Sequence, residues 1–235
     1  MSNGIRFFTA GPLSLVALII LVGLVILIIP LLLLGLVGAA FTKLGFSWIT
    51  ALAVVLLMLL GSRINIPVYR IRRDTVRFSQ KESFYRNGAV PSQIWETILS
   101  VNCGGAVLPV CVSAYLLYRA TQIAGTPLLY PVGLGVLAVV LVSAITTRVI
   151  PGRGFKVPLI LPALAALLAG LLLSGGTGLS AAVIAFVSGT VGTLLGANVA
   201  HLFTVKDLEV PGVSIGGGGT FGAIFLCCIL PALIA

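Results

Sequence analysis

Long stretches of the chain carry no charged residue, and these stretches define the predicted elements. A helix needs about 20 apolar residues to cross a bilayer. No charge lies between Arg6 and Lys43, and the uncharged run 157–205 is long enough for two helices, separated by the turn-like cluster at 174–180. The predicted spans are 12–41, 44–62, 97–118, 120–147, two within 157–205, and 212–235.

The first predicted span is expected to stay in the protein as a signal anchor. Its apolar stretch from Leu13 to Ala40 is far longer than the roughly 7–15 residues of a cleavable signal core. The length of the uncharged run also predicts a tilt, or a kink at Pro30.

The segment 64–95 is the one long stretch with a soluble pattern. Between Val68 and Phe78, apolar and basic residues alternate imperfectly, and strand-forming types are frequent. Asn87-Gly88 is typical of a tight turn. We predict a short β-hairpin at the cytoplasmic face of the membrane; a basic amphipathic helix is the alternative.

Composition excludes a soluble globular protein. Only 14 Lys or Arg and 5 Asp or Glu are present, 8% of 235 residues, and the mean hydropathy is +1.23, whereas about a quarter of a typical soluble domain is charged. The sequence therefore predicts an all-α integral membrane protein of seven transmembrane helices with a β-hairpin insertion.

The positive charges are distributed unevenly between the two sides that these spans define. Twelve Lys or Arg fall on the side of the N-terminus and of loops 2–3, 4–5 and 6–7, and two, Lys43 and Arg119, fall on the other. The positive-inside rule then predicts insertion in the cytoplasmic membrane, with the N-terminus cytoplasmic and the C-terminus extracytoplasmic. The same charges would attract anionic lipid. Nucleic-acid binding is not favoured, since no folded basic domain accompanies the charge.

Short sequences recur in the same order in the two halves of the chain. The matches are Leu44-Gly-Phe-Ser47 with Thr177-Gly-Leu-Ser180, Leu59-Leu-Gly-Ser62 with Leu194-Leu-Gly-Ala197, and Asn102-Cys-Gly-Gly-Ala106 with Ile215-Gly-Gly-Gly-Gly219. They predict one transmembrane domain over 1–235, with a three-helix repeat at 12–119 that includes the hairpin, a connecting helix at 120–147 and a second repeat at 157–235. This would be a parallel 3+1+3 repeat about an axis normal to the membrane; chance similarity is the alternative.

The repeat predicts where polar groups meet. Each copy has a polar residue at the cytoplasmic end of its middle helix and a glycine-rich start to its last helix, where backbone can approach a ligand closely. The candidate ligand-binding residues are Asn65, Asn102, Gly104, Gly105, Asn198, His201, Gly216, Gly217, Gly218 and Gly219. Tight helix packing through small residues is the alternative.

Catalytic and metal-binding patterns are missing from the sequence. The five acidic residues lie in loops or at helix ends, so no predicted span contains a carboxylate for a proton relay. His201 could accept a proton or bind a ligand, but a lone histidine near the lipid headgroups is more often simply hydrogen-bonded there. No Cys/His spacing suits zinc. We therefore expect no cofactor, no metal and no catalytic residues, and a non-enzymatic protein is favoured.

Four motifs resemble a prokaryotic membrane family known as domain of unknown function 1614, from about residue 44 to the end. They are Leu60-Gly-Ser-Arg-Ile-Asn-Ile-Pro67, Val101-Asn-Cys-Gly-Gly-Ala-Val-Leu-Pro109, Ser188-Gly-Thr-Val-Gly-Thr-Leu-Leu-Gly-Ala197 and Ser214-Ile-Gly-Gly-Gly-Gly-Thr-Phe221. In that family an Asp follows the Gly-Ala pair and another follows Gly-Thr-Phe. Here those positions hold Asn198 and Gly222, so no role of the two carboxylates carries over.

Three functional hypotheses follow from these observations. The first is a small-solute carrier or permease-like protein, favoured as passive because the spans carry no charge. The second is a degenerate intramembrane hydrolase that lacks its acidic residues. The third is a non-catalytic partner subunit or homo-oligomer that docks through the hairpin.

Overall fold

A computed structural model describes residues 19–24, 35, 37–38, 40–42, 44–75, 93–124, 126–150, 154–207 and 212–230. The helices are α1 Trp48–Gly61, α2 Leu108–Ala124, α3 Leu129–Thr146, α4 Ile160–Ser174, α5 Leu179–Thr193 and α6 Phe221–Ile229. Two π-helical segments, π1 Cys103–Val107 and π2 Leu194–Val199, precede α2 and continue α5. The strands are β1 Asn65–Thr75, β2 Gln93–Asn102, β3 Arg148–Ile150, β4 Gly154–Lys156 and β5 Gly212–Ile215.

Three helical stretches in the described part are long and apolar enough to cross a membrane: Cys103–Ile123, Leu129–Thr146 and Leu179–Thr204. Helices α1 and α4 are apolar but have 14 and 15 residues, about 21–23 Å at 1.5 Å per residue. The protein is mostly helical and compatible with a membrane, as predicted. Large apolar side chains point outward from the helices, with Ile49 79% and Ile145 81% exposed, which suits a surface in contact with lipid.

The first predicted span lies mostly outside the described residues. Those that are described within it, 19–24 and five positions between 35 and 41, are helical. Pro30, the predicted kink, is outside the described residues.

Helix α5 is the centre of the helical bundle. Twelve of its 15 residues are buried, and its small residues let neighbouring helices approach closely. A Cβ atom added at Gly189 would lie 2.8 Å from Cys227 Cβ, and one at Gly192 would lie 2.7 Å from Val139 Cβ. Glycine at these two positions therefore sets the distances from α5 to α6 and to α3.

The predicted hairpin is confirmed and is longer than expected. Strands β1 and β2 pair antiparallel from Asn65↔Asn102 to Thr75↔Gln93. The register shifts between Pro67 and Tyr69, where proline lacks the N–H that a regular ladder needs. The turn signal Asn87-Gly88 lies outside the described residues.

Two predicted spans start later than expected. Residues 97–102 belong to β2, and 212–215 form β5, which pairs parallel with β2 in a sheet of order β1-β2-β5. The predicted starts of the third helix at 97 and of the seventh at 212 are therefore wrong. Uncharged β-branched runs fit a buried strand as well as a helix, and here pairing with a neighbouring strand decided between them.

The connection between the third and fourth spans also differs from the prediction. Helix α2 continues to Ala124, beyond the predicted end of the third span at 118, and α3 begins at Leu129 after a 3₁₀ turn, within the predicted range 120–147. The predicted break within 157–205 is confirmed, since α4 ends at Ser174 and Gly175 is left-handed, with φ 75°. The β3–β4 hairpin at 148–156 was not predicted.

The segments predicted as loops 2–3, 4–5 and 6–7 meet at one end of the bundle. Phe155 of β4 and Val213 of β5 form a small core with Ile71, Leu99, Val149 and Leu202, which joins the two sheets. At the other end, the Arg119 Nη1 donates a hydrogen bond to the Gly45 carbonyl over 2.9 Å. The segments predicted to share a side therefore lie together.

Candidate functional site

Asn102 links β1, β2 and π1 at the junction of strand and helix. Its Oδ1 accepts a hydrogen bond from the Gly105 N–H over 2.7 Å, and its Nδ2 donates to the Ser62 carbonyl over 2.7 Å and to Asn65 Oδ1 over 3.0 Å. The side chain is fully buried. A buried amide with all these bonds caps π1 and holds it against the C-terminal end of α1.

Asn65 is the exposed end of the same polar cluster. Its Oδ1 accepts hydrogen bonds from the Nδ2 of Asn102 and from the hydroxyl of Ser214. Asn65 therefore ties β1 to β2 and to the end of β5. Sequence reasoning missed Ser214, although its place in the Ser214–Phe221 motif, just before the glycines, was a usable signal.

The glycines bring three backbone segments into direct contact. A Cβ atom at Gly104 would overlap the Met58 carbonyl oxygen of α1, and one at Gly105 would overlap the Gly216 carbonyl oxygen. Gly216 has φ 74°, a conformation that favours glycine. Around these three residues the structure has the close packing that was the alternative to a cavity.

The rest of the glycine loop is more open. Gly218 and Gly219 are exposed, and a side chain at Gly218 would meet open space. Gly219 has φ 93° and accepts a hydrogen bond from the Val157 N–H over 3.1 Å. The loop thus presents exposed backbone beside Asn65. The buried Gly217 of the same loop also lies close to the Asn65 side chain.

Asn198 lies in π2 on the other side of the loop and is fully buried. Its Oδ1 accepts a hydrogen bond from the Gly216 N–H over 3.3 Å. That bond fixes the amide orientation, because the opposite orientation would set donor against donor. Its Nδ2 has no hydrogen-bond partner among the described residues, which costs about 1–3 kcal/mol for a buried donor.

His201 is joined to Asn198 through its backbone N–H, which donates to the Asn198 carbonyl over 3.3 Å, and not through its side chain. Its Nδ1 is 3.2 Å from the Gly196 carbonyl, and since a carbonyl only accepts, Nδ1 carries the proton in this bond. The imidazole centroid lies 6.4 Å from that of Phe155, whose carbonyl packs on Gly219. His201 therefore borders the glycine loop through Phe155.

The structure brings together nearly all the residues predicted from the repeat. Asn65, Asn102, Gly104, Gly105 and Gly216 form one contiguous cluster, and Asn198 joins it through Gly216. The two π-helical segments, which contain Gly104, Gly105 and Asn198, were not predicted; π-bulges are frequent at functional sites. Ligand binding by these residues stays a prediction.

Two cavities lie outside this cluster. One of about 100 Å³ is at the opposite end, lined by Gly45 and Arg119 among others. The other, of about 520 Å³, is beside the β3–β4 hairpin. Neither is lined by Asn65, Asn102 or Asn198.

Asn198 and Gly222 stand where the family that the motifs resemble has Asp, and both lie next to residues of one small core. Ala197 and Ala223, the neighbours of Asn198 and Gly222, pack together with Val157. A Cβ at Gly222 would lie 2.6 Å from Leu159 Cδ2, the end of a flexible and exposed side chain. A Cβ atom at position 222 would therefore require only a movement of Leu159.

Comparison with known proteins agrees with the motif resemblance. The model of a protein family of unknown function, DUF1614, matches residues 59–234. Neither the curated proteins nor the solved structures gave a match. Because the match covers most of the chain, the protein belongs to the DUF1614 family.

Proposed function

We propose that this DUF1614 protein is a multi-pass carrier or permease-like protein for a small polar solute. In this proposal seven helices form the 3+1+3 repeat, and the solute binds at the cluster around Asn65, Asn102 and Asn198. The protein would lie in the cytoplasmic membrane with the hairpin on the cytoplasmic side, as the distribution of basic residues favours.

The buried Nδ2 of Asn198 is the observation that carries this proposal. A polar group buried without a partner is rare in a folded protein and needs an explanation. A solute oxygen that accepted a hydrogen bond from it would remove the cost of the unpaired donor. Because the group is neutral and donates hydrogen bonds, it suits an uncharged or anionic solute.

The route to Asn198 would start at the exposed end of the cluster. Asn65, Gly218 and Gly219 face outward, and the Gly105–Gly216 backbone contact lies between them and the buried amide. Passage would require this contact to part, and glycine backbones without side chains can separate with little rearrangement. Since no carboxylate lies within a predicted span, transport would be passive.

Permeability of proteoliposomes tests the proposal. Stopped-flow swelling with glycerol and with urea is measured for the native protein and for Asn198→Leu, which has the same branched shape but no donor. Ser113→Ala is the matched control, because its Oγ is also buried and unpaired but lies in α2. We expect permeability above that of empty liposomes, at least a tenfold loss in Asn198→Leu, and no loss in the control.

Permeability equal to that of empty liposomes for both solutes would contradict the proposal. So would an Asn198→Leu variant that conducts as well as the native protein.

A hydrolase-like scaffold without its acidic residues is the second candidate. The packing of Ala197 against Ala223 favours it, since it brings positions 198 and 222 onto facing segments. Aspartates at both positions would form the paired carboxylates of an acid–base mechanism. Cleavage of a model transmembrane peptide by Asn198→Asp with Gly222→Asp, but by neither single variant, would support this candidate; an inactive double variant that is folded would contradict it.

A further inference from the structure

The cavity beside the β3–β4 hairpin is larger than the one at the opposite end and has both charged and apolar walls. Its volume is about 520 Å³. The walls come from the end of α3, both short strands and the start of α4. The lining residues that matter here are Ile145, Arg148, Ile150, Lys156, Pro158 and Leu161.

Two cations face this cavity without a protein partner. Arg148 and Lys156 are directly opposite each other in the antiparallel pair, and both are exposed. Neither side chain has a hydrogen bond or ion pair among the residues that the structure describes. Like charges directly opposite in a sheet are destabilising, so an anion between them would relieve this repulsion.

The start of α4 adds a third source of positive potential. Helix α4 has 15 residues, no side-chain hydrogen bond at its N-cap Leu159, and no acidic residue in its first turn. Pro158 and Leu161, on either side of the helix start, line the cavity. Free N–H groups at a helix N-terminus bind phosphate oxygens; since Pro158 and Pro162 have no N–H, those of Ile160 and Leu161 are the ones that this helix start offers.

The remaining walls suit a hydrocarbon chain. Ile145 is 81% and Leu161 is 48% exposed, and Leu141, one turn before Ile145 on α3, is also exposed. On α4, Leu164 and Leu168 continue the apolar surface from Leu161. A free hydrated anion would make no contact with these side chains, whereas the acyl chain of a bound lipid would cover them.

We propose that this cavity binds an anionic phospholipid, with its phosphate between Arg148 and Lys156 and an acyl chain against Ile145 and Leu161. The site is separate from the asparagine cluster, and its test does not depend on the proposed transport.

Lipid binding by the purified, delipidated protein in detergent tests the assignment. Native mass spectrometry gives the affinity for phosphatidylglycerol and for phosphatidylcholine. In Arg148→Gln with Lys156→Gln, we expect the affinity for phosphatidylglycerol to fall about 30-fold, roughly fivefold for each cation near a membrane surface. The affinity for phosphatidylcholine should not change.

A matched control removes the same charge elsewhere on the same end of the protein. Arg63→Gln with Arg70→Gln, two exposed positions before and within β1, should change phosphatidylglycerol binding less than threefold. An equal loss in this control, or no loss in the Arg148 and Lys156 variant, would overturn the proposal. If the double variant does not fold, Lys156→Gln alone should lower the affinity about fivefold.

Competition separates a lipid from a free phosphate. We expect inorganic phosphate at tenfold molar excess to leave phosphatidylglycerol bound, because the ion makes no contact with Ile145 and Leu161. Displacement of the lipid by an equimolar amount of inorganic phosphate would assign the cavity to the free ion and overturn the lipid assignment.

Discussion

Replacement of Asn102 by alanine tests how the polar cluster is held together. The change removes three hydrogen bonds, to the Gly105 N–H, the Ser62 carbonyl and Asn65 Oδ1. The two bonds from Nδ2 contribute about 1 kcal/mol net each, and the buried Gly105 N–H left without an acceptor costs about 1–3 kcal/mol. We therefore expect Asn102→Ala to lower the free energy of unfolding by about 3–5 kcal/mol.

The assay is reversible unfolding in mixed micelles of dodecyl maltoside and dodecyl sulfate, followed by circular dichroism. Asn65→Ala is the matched control, because Asn65 takes part in the same cluster but is exposed, so water replaces its bonds and the loss should be about 1 kcal/mol. Asn102→Asp keeps the size of the side chain and changes only its hydrogen bonds. A carboxylate can accept from the Gly105 N–H, but it would face the Ser62 carbonyl with no proton to donate.

We expect Asn102→Asp to be as destabilising at pH 7 as Asn102→Ala. A loss below 1 kcal/mol for Asn102→Ala, or equal losses for Asn102→Ala and Asn65→Ala, would refute the assignment of Asn102 as the buried centre of the cluster.

Two pairs of glycine variants test the close backbone contacts, with the same unfolding measurement. Gly105→Ala should cost about 3 kcal/mol or more, because the added methyl group overlaps a carbonyl oxygen of the glycine loop, whereas Gly218→Ala should change stability by less than about 0.5 kcal/mol. Gly192→Ala should cost about 1–3 kcal/mol through its contact with Val139, while Gly133→Ala, which meets open space on α3, should stabilise the protein by about 0.5–1 kcal/mol. Equal effects within either pair would contradict the packing described here.

The sequence predicted the membrane class, the hairpin and the residues of the cluster because each depends on local pattern. Strand-forming residues between Val68 and Phe78, charges that bound apolar runs, and paired Asn and Gly motifs are all visible in the chain. Gly105 and Gly216, which the order of the motifs predicted to lie near each other, are in backbone contact, while the repeat itself stays a prediction.

The boundaries of the third and seventh spans could not be predicted in the same way. The apolar residues 97–101 before the glycine-rich helix start fit a helix as well as a strand, since both forms bury apolar side chains. The strand exists because β1 and β5 supply hydrogen-bond partners on both sides, which is tertiary information. The π-helical segments and the cavity at Arg148 likewise depend on neighbours that are distant in sequence.

Accessibility of Cys103 tests most directly whether the asparagine–glycine cluster admits solute. Cys103 lies between Asn102 and Gly104 and is partly exposed, whereas Cys111 is exposed on the apolar face of α2. Each is kept as the only cysteine, and sealed vesicles are treated with a membrane-impermeant maleimide from either side.

We expect Cys103 to be labelled only from the side of the hairpin, more slowly when Asn65→Trp blocks the exposed end, and Cys111 to stay unlabelled in lipid. Cys103 that reacts from neither side, or no faster than Cys111, would contradict a solute site in the cluster and leave the glycines as packing surfaces.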